Sequence, residues 1–136
     1  MTGTHDRPYQ LDQDTELVQA ATQPSSEAIR AFTVEIKPDW RVIVGPNGGY
    51  IAAILQKGMS TTLHLDHTES DQALYVRSLT IQFLNPSVPG AASLTVSCEK
   101  KTRRLAQLTA RLEQEGVTIA LGSAYFGTAR IPVDFR

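Results

Sequence analysis

The chain has 136 residues, with 13 Lys and Arg against 14 Asp and Glu, and a formal net charge of −1, which gives no general pull toward nucleic acid or an anionic membrane. At 41% hydrophobic and 20% charged residues it reads as a globular chain forming one domain over residues 1–136, with little room for a second core. No apolar run reaches the roughly 18 residues that span a bilayer, and the polar opening MTGTHDRPYQLDQD has no secretory apolar stretch, so a cytoplasmic protein with no membrane partner is expected.

In chain order, residues 1–8 are polar and read as a flexible segment. Residues 14–20 fit either a short strand or a first helical turn. TQPSSE, residues 22–27, is a turn by composition. Residues 28–36 alternate, with Phe32, Val34 and Ile36 on one face and Ile29, Ala31, Thr33 and Glu35 on the other. That is a strand, stopped by Lys37, Pro38 and Asp39.

Residues 44–58 read VGPNGGYIAAILQKG, a turn feeding directly into a helix. Ile51, Ile54, Leu55, Gly58 and Met59 fall at i, i+3, i+4, i+7 and i+8, a continuous apolar stripe. Ala52 and Ala53 add little bulk beside it, so the helix is expected to be buried on most sides. HLDHTESDQ, residues 64–72, is a polar loop. Its His64, Asp66, His67 and Glu69 include a His-x-x-His spacing, but no third ligand of clear geometry accompanies it. A solvated loop and no metal are expected.

Strands follow. Residues 74–84 are rich in Tyr, Val, Ile and Phe, and NPSVPG ends them. Simple alternation groups Arg77 with Tyr75, Leu79, Ile81 and Phe83 on an apolar face. A charge there needs a partner, a subunit contact or a pocket mouth. Residues 93–100 place Leu94, Val96 and Cys98 on one face. The single cysteine has no partner for an internal disulfide and reads as a packed, inert thiol. Lys100, Lys101, Arg103 and Arg104 form a basic turn, either a solvated hairpin tip or a phosphate contact. Residues 105–114 alternate with Ala106, Leu108, Ala110 and Leu112 on one face. Glu115-Gly116 is a hairpin turn, residues 117–126 are the last strand, and IPVDFR is a tail. Short links make the closing strands an antiparallel meander.

The order is strand, helix, then four strands. One apolar helix must be covered by one curved antiparallel sheet. That arrangement is α+β, a single hotdog fold, with a cystatin-like or other α+β roll as the competing architecture.

Several motifs carry a family likeness. Trp40 followed by GPNGGY leading into AAI resembles the start of the central helix in thioesterase-like hotdog proteins, including the acyl-CoA thioesterase II type. SLTIQFLNP (residues 78–86), KKTRRLAQLTARLEQEG (residues 100–116) and SAYFG (residues 123–127) continue the resemblance over most of the chain in the same order. The type resembled has two fused hotdog units, and the likeness is to the N-terminal one. The resemblance implies an acyl thioester ligand, with coenzyme A or pantetheine as part of the substrate and no separate cofactor.

The physics of the helix start agrees. A helix N-terminus presents unpaired N–H groups and the positive end of its dipole. Glycine lets a ligand approach the backbone closely, and donors aimed at a developing oxyanion lower the barrier to attack on a thioester. Gly48 and Gly49 are therefore candidate oxyanion donors, or else simply allow a tight turn and close packing. Asn47 is a helix cap or a water-orienting group. Gln56 sits two turns into the helix, where many single-unit relatives carry an acid. No Asp or Glu occurs between Val44 and Leu63, and Gln56 can hold a water but not take its proton. Trp40 and Tyr50, flanking the glycines, either line an acyl tunnel or plug the sheet. Arg77, Arg103 and Arg104 complete the candidate substrate contacts.

Acyl thioester hydrolysis is the leading expectation. The alternatives are a non-catalytic acyl-binding or scaffolding unit, and a dehydratase or cyclase acting on a polyketide-like substrate. A lone unit leaves an edge strand open, so a homodimer or a dimer of dimers is expected.

Overall fold

In the computed structural model, which describes residues 10–24, 28–38, 48–65 and 73–128, eight elements follow one another among the described residues. They are α1 (Gln10–Asp14), β1 (Leu17–Gln19), β2 (Ile29–Ile36), α2 (Gly48–Leu65), β3 (Leu74–Phe83), β4 (Gly90–Lys101), β5 (Leu105–Gln114) and β6 (Val117–Thr128). The segment 14–20, expected to be either a strand or a helical turn, carries the strand β1, while the helical turn α1 lies just before it and ends at Asp14. The central helix begins at Gly48, so both glycines of the motif are its first residues.

The strands form one antiparallel sheet in the order β1-β2-β4-β5-β6-β3. β4, β5 and β6 are the expected meander. Glu115 and Gly116 close its second hairpin with φ of 49° and 80°, the paired left-handed geometry that matches strand twist. β3 does not pair with its sequence neighbour β4. It crosses to the far edge and lies along β6, so the connection between β3 and β4 spans one end of the sheet.

α2 packs across the sheet through the predicted stripe. Ile54, Leu55 and Met59 are fully buried, against strand residues that include Leu94, Val96, Leu108 and Leu112. Each such side chain contributes about 1.5–3 kcal/mol by leaving water. Helix and sheet meet closely at Gly58, where an added Cβ would lie 2.3 Å from Leu94 Cδ2. A sheet folded around one helix is the expected hotdog arrangement.

One expectation about β3 is corrected. The pairing of β3 with β6 slips between Val76 and Ser78, and Arg77 is the extra residue of a β-bulge. A bulge switches the alternation. Leu74 and Val76 before it, and Leu79 and Ile81 after it, are all half-buried against the core, whereas Tyr75, Ser78 and Thr80 are exposed. Arg77 does not share a face with Leu79 and Ile81. It is exposed, lies over Gly127, and donates through Nη2 to the Thr128 carbonyl.

Candidate functional site

Gly48 and Gly49 are exposed at the start of α2. The ring of Phe83, at the end of β3, lies against the first of them. A Cβ on Gly48 would approach Phe83 Cζ to 3.2 Å, tighter than ordinary packing, so the missing side chain is what lets helix start and ring stand this close. Beside them opens a cleft of about 440 Å³. Gly48 and Ile51 form its helix side, Phe83 and Ile119 its sheet side, and residues 84–87 its remaining wall.

That wall is held by the β5–β6 hairpin. The register shifts after Leu112, which pairs with Ala120 while Glu113 pairs with Thr118. Ile119 is the odd residue out. Its carbonyl accepts from the N–H groups of both Leu84 (2.9 Å) and Asn85 (3.2 Å). The Asn85 side-chain amide donates to the Thr118 carbonyl at 2.8 Å. Farther along, the buried Gln114 side chain accepts from the Val88 N–H at 3.0 Å and donates to the Val88 carbonyl at 2.8 Å. Ser87, only 4% exposed, lies between these anchors and faces the cleft.

Tyr50 sits elsewhere. Its side chain is 1% exposed. Its hydroxyl donates to the Asp14 carbonyl at 2.8 Å and accepts from the Lys37 N–H at 3.0 Å, joining α1, the end of β2 and the first turn of α2. One full stripe further on, Lys57 Nζ donates to the Asp12 carbonyl at 2.9 Å and to Thr15 Oγ1 at 3.2 Å. Of the two roles open to Tyr50, its burial fits the plug. Burial raises the Tyr50 hydroxyl above the usual phenol range. The Lys37 N–H opposes that shift, and the Asp14 and Glu35 charges add to it. Folding thus favours the neutral phenol. Its contribution is complete below the unfolded value of 10.0 and is lost as pH rises through the higher folded value. Tyr50→Phe is expected to cost about 1–3 kcal/mol, because two backbone groups lose their partner. Thermal melts from neutral to strongly alkaline pH should show that cost shrinking as the wild-type phenol ionises.

Of the remaining expected site residues, those that are described do not line the cleft within one chain. Gln56 is half-buried on α2, roughly 12 Å along the helix axis from Gly48, and is not part of the cleft lining. Arg103 and Arg104 are exposed at the β4–β5 turn, where Thr102 Oγ1 accepts from the Arg104 and Leu105 N–H groups. The Arg104 carbonyl accepts from the Thr128 N–H at 3.2 Å. Arg77 and Arg104 therefore meet at the same end of β6, about 20 Å along β3 from Phe83. Asn47 and Trp40 lie outside the described residues, as do His67, Asp66 and Glu69. Among the described residues no three His, Cys, Asp or Glu side chains gather as a metal site, and no helix is long and apolar enough to cross a membrane.

Sequence reading missed Asn85, Ser87 and Gln114. The signal for Gln114 was present: Ala106, Leu108, Ala110 and Leu112 point inward, and the next residue in that phase is a glutamine. A second hollow, of about 490 Å³, lies on the outer face of the sheet over Thr80, Thr95, Thr109 and Ser123. It shares no lining residue with the first.

A single helix wrapped by an antiparallel sheet, with a cleft at its glycine start, defines the class: a hotdog unit of the thioesterase-like kind. Residues 36–127 match the acyl-CoA thioesterase N-terminal domain family, and the chain belongs to it. A candidate thioesterase related to phenylacetic acid degradation, from Ralstonia eutropha JMP134, is similar in structure (TM-score 0.78). It is 17% identical, over 90% of this chain and 93% of that one. A candidate thioesterase II from Thermobifida fusca YX is 26% identical with a TM-score of 0.73, over 93% of this chain and 42% of that one. A conserved hot dog protein of unknown function from Alicyclobacillus acidocaldarius is 22% identical with a TM-score of 0.73, over 96% of this chain and 44% of that one. The chain thus spans less than half the length of the latter two. No curated protein matches it in sequence.

Proposed function

We propose that the protein hydrolyses an acyl thioester whose leaving group is coenzyme A or a carrier-bound pantetheine, at the start of α2. The observation that carries this reading is the cleft beside Gly48. The first N–H groups of a helix have no acceptor within it, and a carbonyl entering that cleft meets them together with the positive end of the dipole. In attack, a water oxygen bonds to the carbonyl carbon and the carbonyl oxygen becomes an oxyanion held by the Gly48 and Gly49 amides. Collapse breaks the C–S bond, and the proton given up by the attacking water ends on the departing sulfur, so the products are the thiol and the free acid. Ile51, Phe83 and Ile119 hold the acyl chain away from water. Asn47 orients the attacking water. No cofactor besides the substrate's own pantetheine is required.

The working unit in this proposal is a homodimer, which can assemble further as a dimer of dimers. β3 is an edge of the described sheet, and an open edge is a template for pairing. Antiparallel pairing of two β3 strands centred near Thr80 sets Arg77 of one copy across from Phe83 of the other. It brings Arg77, Arg103 and Arg104 toward the second copy's cleft as phosphate contacts, and each α2 toward the other. Gln56, too far from its own Gly48, then serves the second copy's site by holding the water. Sedimentation showing a strict monomer at working concentrations would sink this arrangement.

The acid-free helix favours one other reading, an acyl-binding unit that keeps the pocket without the chemistry. Incubation with short, medium and aromatic acyl-CoAs, following free thiol, separates the two. The enzyme releases thiol, and Gln56→Ala and Asn47→Ala each lower kcat by about 10- to 100-fold with the fold intact. Acyl-CoA binding without thiol release would establish the binding unit instead.

A further inference from the structure

We infer that Gln114 is a positioning residue that sets acyl selectivity through the wall of the cleft. This rests on the acyl-cleft reading above. The wall, residues 84–87, belongs to a connection whose ends are fixed differently. At its start, Leu84 and Asn85 hang from the Ile119 and Thr118 carbonyls, part of the hairpin that also lines the cleft. At its far end, the fastening described is the Gln114 carboxamide, which bonds both the N–H and the carbonyl of Val88 as a neighbouring strand would. Its Nε2 also reaches the Ala91 carbonyl at 3.4 Å.

Two features separate this from ordinary core packing. Gln114 is the one polar side chain in the inward phase of β5, otherwise Ala106, Leu108, Ala110 and Leu112. A buried amide in that phase is costly unless its hydrogen bonds are satisfied, and here its bonds go to backbone beside the cleft rather than to the core. Val88, in contrast, is 64% exposed. Its backbone can take up water once the carboxamide is gone, so loss of the clamp frees the wall without opening the core. The residue that moves with that wall is Ser87, buried and lining the cleft beside Pro86. With the clamp closed, cleft depth is fixed and acyl chains are discriminated by fit. With it open, the wall yields and discrimination falls.

The test uses the full-length protein, Gln114→Met and Gln114→Glu. Turnover is measured on butyryl-, octanoyl- and benzoyl-CoA, and binding on the matching non-hydrolysable thioethers. The expected result for Gln114→Met is a roughly tenfold smaller spread of kcat/KM between the best and worst acyl groups. The change should lie in KM, with kcat on the best substrate within about twofold. Gln114→Glu behaves likewise at neutral pH. It recovers wild-type discrimination as pH falls through the ordinary glutamate range, about 4.3, where the protonated carboxyl can again both donate to and accept from Val88. Equal losses on every acyl group, or an unchanged spread in both variants, would overturn the inference while leaving hydrolysis standing. If the wild-type protein neither binds nor cleaves any of the panel, the acyl-cleft reading fails and this inference falls with it.

Discussion

Gly48→Val is expected to lower kcat/KM on acyl-CoA by about 100-fold or more while leaving the melting temperature within a few degrees of wild type. The first added carbon already comes to 3.2 Å from Phe83 Cζ. The two further methyl groups of valine must occupy the space between helix and ring that forms the mouth of the cleft. A carbonyl displaced by even an ångström loses alignment with the helix amides, and catalysis is steeply sensitive to such misplacement. Stability should be little affected, because Gly48 is exposed and Phe83 is itself 56% exposed, so the ring can swing outward. Thiol-release kinetics and thermal melts on the same preparations check both halves. Near-wild-type turnover would show that the cleft is not where the thioester sits.

Gly58→Val produces the converse pattern: a large loss of stability from a residue remote from the cleft. Gly58 is buried in the middle of α2, and its missing Cβ is the point where the helix rests on β4, 2.3 Å from Leu94 Cδ2 and 3.2 Å from Val96 Cγ2. Both strand residues are themselves completely buried, so neither has room to retreat. Overpacking of this kind costs about 1–3 kcal/mol and at times more. Valine gains little of the helix propensity that alanine would bring. A loss of about 3 kcal/mol, read from denaturant midpoints at constant m-value, is the expected result, with Gly58→Ala intermediate. Gly122, whose added Cβ would meet Leu55 Cδ2 at 2.7 Å, should follow the same rule from the sheet side.

These two glycines show where sequence is informative and where it is not. The stripe from Ile51 to Met59 could be read because helical periodicity places those residues on one face whatever they touch. The Gly48-Gly49 pair stood out because it precedes a helix it would otherwise weaken. Gly58, by contrast, was legible as part of the stripe but not as a point of close approach of helix to sheet, which depends on Leu94 across the core. Arg77 was misplaced for a related reason. Alternation assumes one residue per partner, and nothing in Tyr75-Val76-Arg77-Ser78-Leu79 announces the extra residue that the pairing with Phe126 and Tyr125 creates. The candidate site was legible at its helix side only. Its other wall depends on β3 lying beside β6, a pairing between strands far apart in sequence, so Asn85 and Ser87 looked like mere turn residues.

The fastening of α1 and β2 to the central helix by the Tyr50 hydroxyl bears on how this unit can be cut out or fused. The family likeness begins at residue 36, at the very end of β2. A fragment trimmed to that boundary would strip a flank from β4, bare Phe32 and Val34's seat in the interior, and take the Asp14 carbonyl away from the Tyr50 hydroxyl. The inherited signature and the physical building block therefore have different edges, and it is the second that a working fragment must respect.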